Sequence, residues 1–72
     1  MNSIITADEQ IRVYMKRRRL TIIQLSNRLV MSERTLRRKL SNPELFTLGE
    51  IQKIQDVLSI PQQERSYVIE KG

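Results

Sequence analysis

Ser32-Glu33-Arg34-Thr35-Leu36-Arg37-Arg38-Lys39-Leu40 is mostly cation, and its only apolar residues are Leu36 and Leu40. Four residues apart, those two leucines share one edge of a helix, and every other side chain faces away from that edge. A helix with so thin an apolar seam makes a poor core element. It is suited to lie against a polyanion, with Arg34, Arg37, Arg38 and Lys39 available for phosphates or base edges. A second short helical pattern precedes it, with Ile22, Leu25, Ser26 and Leu29 as its inner face. The two patterns meet at a tight turn, Val30-Met31. Double-stranded DNA is therefore the first partner to consider.

The charge outside this stretch points the same way. Residues 12–39 hold ten of the thirteen Lys and Arg and a single acid, Glu33, while residues 1–11 and 40–72 each carry a net charge of −2. A basic band between mildly acidic flanks is the electrostatic footprint of a DNA-facing surface, whereas a merely solvated face would mix its signs. The run Lys16-Arg17-Arg18-Arg19 closes a first helix and in part compensates its dipole. Four cations exceed that need, so Lys16, Arg17 and Arg19, together with Lys39, are expected to touch phosphate.

Capping signals divide the chain into helices. Thr6-x-x-Glu9, Thr21-x-x-Gln24 and Thr47-x-x-Glu50 each have the form of a capping box, and Ser32 caps the basic helix. Asn42 precedes Pro43 and must leave the helical region. Phe46, ahead of the third box, is placed to staple against Ile51, and Leu45 and Phe46 are expected to plug the core. Pro61 fits the first position of a last helix. The β-branched and aromatic Tyr67-Val68-Ile69 has the alternative of a short edge strand. The reading is an all-α, compact five-helix domain occupying residues 1–72, with helices near 7–18, 22–29, 33–40, 48–58 and 62–68. Ala7, Ile11, Tyr14 and Met15 form the inner face of the first helix. Leu25, Leu29, Leu36, Leu40, Ile51, Ile54 and Leu58 are expected in one core, with Leu48 also buried.

Composition removes other function classes. With 72 residues, no cysteine and no histidine, the chain lacks thiolate metal sites, the commonest metal ligand and the usual general base. It is expected to be no enzyme and to carry no cofactor and no metal. No apolar run approaches the ~20 residues of a membrane span, so no membrane partner and a cytoplasmic location in a bacterial host are expected.

Leu20-Thr21, Leu25-Ser26, Met31-Ser32-x-x-Thr35-Leu36 and Phe46-Thr47-Leu48, with Ile51, Ile54, Leu58 and Ile60, resemble the helix-turn-helix domains of Cro- and lambda-repressor-type phage regulators, the XRE-like family. The resemblance covers residues 20–60. It implies a lambda-repressor-like fold in which residues 22–29 position and residues 33–40 recognise, with Ser26 as the small residue where the two helices cross. It also implies base contacts from Glu33, Arg34 and Arg38, with Arg37 close by. Arginine can grip guanine O6 and N7 with both arms, whereas Glu33 serves better as a charge at the helix N-terminus.

The sequence departs from that family at the turn and at the start of the positioning helix. Val30 stands where glycine is usual, so the turn is expected to be altered. Ile22 replaces a polar residue, and Ile23 should point outward. Ile22, Ile23 and Val30 together would give an apolar patch beside the basic helix, which suits a protein partner. Two functions follow. The first is a small transcriptional regulator of phage type that binds operator DNA, as a homodimer on a two-fold site with Tyr67–Ile69 and the last helix as candidate contacts. The alternative is an antirepressor that binds the DNA-binding domain of a phage repressor and occludes it.

Overall fold

The computed structural model describes residues 5–69. It comprises four α-helices, α1 (Ala7–Arg17), α2 (Ile22–Leu29), α3 (Glu33–Ser41) and α4 (Leu48–Val57), with single 3-10 turns at Pro43–Leu45 and Gln62–Glu64. Helix α2 packs on both α3 and α4, and α1 lies against α4. The seven expected core residues are all buried, joined by Ala7, Ile11, Tyr14, Phe46 and Ile60.

Two of the three capping boxes form in full. Thr21 Oγ1 accepts from the Gln24 amide at 3.1 Å while Gln24 Oε1 accepts from the Thr21 amide at 2.9 Å. Thr47 and Glu50 exchange the same two bonds at the start of α4. The third does not form: buried Thr6 donates its hydroxyl to Glu9 Oε1 at 2.7 Å and accepts nothing from the helix. The Glu9 carboxylate thus takes the Thr6 hydroxyl as its donor in place of the Thr6 amide that a capping box would supply.

Three helices end alike. Arg19, Val30 and Ser59 all have left-handed backbone, with φ near 53–55°. After α2, the Met31 amide reaches the Ser26 carbonyl at 3.0 Å and the Val30 amide reaches Asn27 at 3.2 Å, the paired bonds of a Schellman motif. Arg19-Leu20 and Ser59-Ile60 repeat the pattern after α1 and α4. The turn expected to be altered by Val30 is therefore retained, with valine forced into the glycine conformation.

The expected fifth helix at 62–68 is absent. Pro61 caps the turn Gln62–Glu64, Arg65 is extended, and residues 66–69 form no helix. The segment spends its polar groups on other elements: Gln10 Nε2 donates to the Glu64 carbonyl, and Gln10 Oε1 accepts from the Ser66 amide at 2.8 Å. Gln55 donates to the Ser66 carbonyl at 2.9 Å, and the Ala7 amide donates to Val68 at 2.8 Å. A helix there would need those same groups for itself. No strand is assigned among the described residues.

Smaller corrections follow from packing. Leu48, expected inside, is 59% exposed in the first turn of α4, where Thr47 and Gly49 are exposed as well and burial begins at Ile51. Leu45 is exposed as well, so Phe46 alone plugs the core. Helix α3 runs one residue past its expected end, to Ser41, and the break falls at Asn42, directly before Pro43, where it was expected.

Candidate nucleic-acid interface

Helix α3 is built to expose cations. Ser32 Oγ accepts from the Thr35 amide at 3.1 Å and starts the helix, and Leu36 and Leu40 are its buried residues. Successive residues advance by about 100°, which places Arg34 and Arg38 opposite that seam. Both are exposed, and neither joins an ion pair among the described residues. Arg37 lies on one flank, where its Nε and Nη2 both reach Glu33 Oε2 at 2.8 Å. This pair occupies Glu33, consistent with its place in the first turn, and an exposed i,i+4 pair is worth little enough to yield to a phosphate.

Lys39 lies on the other flank and behaves differently. Its ammonium donates to Glu50 Oε2 of α4 at 2.6 Å, and its side chain is only 15% exposed. Lys39, expected among the phosphate contacts, ties α3 to α4 in this structure. The Lys39 hydrogen bond holds the Glu50 carboxyl below its ordinary range, against the opposing effect of burial and with help from the Thr47 backbone.

The cations of α1 divide by task. Lys16, Arg17 and Arg19 are exposed, and the Arg17 guanidinium lies 5.0 Å from the centre of the Tyr14 ring. Arg18 donates to the Leu58 carbonyl at 2.9 Å and to Ser59 at 3.2 Å, so it caps the end of α4. Tyr14 in turn donates to Glu64 Oε1 at 2.8 Å, and that bond, with burial, raises its phenol above the ordinary value. The α1 cation that reaches α3 is Arg12, whose Nη2 donates to the Leu40 carbonyl at 3.0 Å. It lines a shallow cleft with Ile22, Arg37, Leu40 and Ser41. Sequence reasoning passed over Arg12. The available signal was its position one turn before Lys16, at the head of the basic band.

The three apolar candidates do not form one patch. Ile22 is half-buried against the core and borders the Arg12 cleft. Val30, 89% exposed, borders a different groove, between the α2–α3 turn and the start of α4. Ile23 is 55% exposed on the outer side of α2. The first turn of α2 rolls Ile22 inward because it lies three and four residues from buried Leu25 and Ser26.

A helix-turn-helix with a small residue, Ser26, buried in α2 and a cationic α3 carried on the outside defines a class of DNA-binding proteins. Residues 10–64 match the family of Cro/C1-type HTH DNA-binding domains, and the chain belongs to that family. It is a DNA-binding transcription regulator. No curated protein and no solved structure matches the chain. Among the described residues, no helix is long and apolar enough to cross a membrane.

Proposed function

We propose that the chain is a small regulator of phage type that binds operator DNA by laying α3 in the major groove, and that it acts by binding, without catalysis. The observation that carries this reading is the exposure of Arg34 and Arg38 side by side, opposite the Leu36–Leu40 seam. Arg34, Arg38 and, once released from Glu33, Arg37 read base edges. Lys16, Arg17, Arg19 and Arg12 hold phosphates and set the register. A second copy on a two-fold operator supplies the affinity that one small module lacks. The test is a titration of duplexes drawn from the gene's own neighbourhood. Arg38→Ala is expected to weaken binding at one base position by ~1–3 kcal/mol, while Lys16→Ala weakens all sequences alike. Affinity falls steeply with salt because phosphate contacts release counterions. A salt-independent titration would end this reading.

The exposure of Ile23 and Val30 favours a second reading, that of an antirepressor seated on the DNA-binding domain of a phage repressor. Here the two apolar side chains anchor the partner and the arginines meet its acids. Ile23→Ser separates the two readings by calorimetry: it abolishes repressor binding under the second and leaves DNA binding intact under the first. Indifference of both ligands to Ile23→Ser removes the anchor argument.

A further inference from the structure

Of the four cations on α3, three are exposed and one is withheld. Glu50 does the withholding, and it does so with a carboxylate already fixed in place. Its Oε1 accepts from the Thr47 amide at 2.9 Å in the cap of α4, which leaves Oε2 aimed at Lys39. Both side chains are shielded, at 15% exposure for Lys39 and 27% for Glu50. The contrast with Arg37 and Glu33 is instructive, since those side chains are 62% and 39% exposed on a single helix. That pair is local and solvated, and it opens at little cost. The Lys39–Glu50 pair joins two helices across a shielded contact, so opening it leaves a carboxylate with less water to replace its partner.

From this geometry we propose that Glu50 is a specificity-determining residue: by drawing Lys39 against α4 it keeps a fourth α3 cation off the DNA backbone. The inference rests on the DNA-binding reading above. A lysine free on this flank would add phosphate affinity to every sequence equally, because an ammonium on a flexible stem is a point charge without base preference. Holding it back leaves recognition to Arg34 and Arg38, whose planar forks discriminate. Lys39 is thus absent from the DNA contact in the parent protein.

The experiment compares the parent, Glu50→Gln, Lys39→Gln, the double variant and Glu44→Gln on two probes. One probe is a duplex that the parent recovers from a randomised pool, the other a scrambled duplex of the same length. Glutamine keeps the capping box, so Glu50→Gln retains α4, and circular dichroism checks this. Glu50→Gln is expected to bind the scrambled duplex more tightly and to lower the ratio of specific to non-specific affinity. One added phosphate contact adds about 0.9 to the slope of log affinity against log salt, an extra loss of about 3.5-fold in affinity between 50 and 200 mM. Lys39→Gln is expected to keep the parent's slope, and in the double variant it cancels the gain. Glu44→Gln makes the same change in net charge on an exposed residue and leaves the slope as it was. A slope that flattens in Lys39→Gln, or stays unchanged in Glu50→Gln, overturns this proposal while the parent still binds its duplex. A parent that recovers no duplex overturns the DNA-binding reading and this proposal together.

Discussion

Val30 is the residue at which local preference and tertiary need conflict most plainly. Its φ of 53° and ψ of 49° belong to the left-handed region, which costs an L-residue ~1–2 kcal/mol and suits a β-branched side chain least. The position is held because the Met31 and Val30 amides satisfy the last carbonyls of α2 and aim α3 across it. Val30→Gly is therefore expected to stabilise the fold by about 1 kcal/mol, less what glycine loses in unfolded-state entropy. Thermal melts of the two proteins measure it, and a variant that melts below the parent refutes the strain argument. Gly49 makes a milder case. A Cβ there would meet nothing nearer than Thr47 Oγ1 at 4.0 Å, so Gly49→Ala is expected to be neutral or stabilising by up to ~1 kcal/mol in the same assay.

Among the elements, α3 depends on its neighbours for its place. Its own buried side chains are Leu36 and Leu40, so truncating Leu36 removes about half of what seats it. Leu36→Ala is expected to cost ~2–5 kcal/mol in urea unfolding, and a variant as stable as the parent would remove the helix assignment. The Lys39–Glu50 clamp adds a pH dependence of definite sign. The folded-state pKa of Glu50 is lowered, so its contribution is present above the ordinary carboxylate range and is lost as pH falls through the folded value. The stability difference between the parent and Glu50→Gln is expected to be largest near neutrality and to shrink below about pH 4. Paired melts across that range check it, and a constant difference excludes an electrostatic clamp.

In the whole molecule, the chain end is closed by hydrogen bonds more than by apolar packing. Gln10, Gln55 and the Ala7 amide between them hold residues 64–68, while Tyr67 and Val68 remain 44% exposed. Gln10→Ala removes two of those bonds at a buried site and is expected to cost about 2 kcal/mol, read from urea unfolding. Affinity of the folded fraction for DNA is expected to stay as it was, since the side-chain hydrogen bonds of Gln10 go to Glu64 and Ser66 and not to α3. A loss of affinity at full folding would instead couple the chain end to the recognition surface.

Helix positions, helix starts and the sign of the α3 surface were determined by the sequence alone. They rest on interactions within three or four residues: the Thr21 and Thr47 boxes, the Ser32 cap and the spacing of Leu36 and Leu40. Even Lys39 was legible in part, because the same helical period puts it nearer the leucine seam than Arg38. Which acid would take it was not, since Glu50 lies eleven residues on in another helix. The tertiary structure also decided the fate of residues 62–68, where bonds to Gln10 and Gln55 across more of the chain outweighed the local signal at Pro61. Local rules fix what a segment can form. Partners distant in sequence fix which of its polar groups and which of its faces remain free to bind, because buried donors and acceptors draw on whatever partners the fold brings within reach.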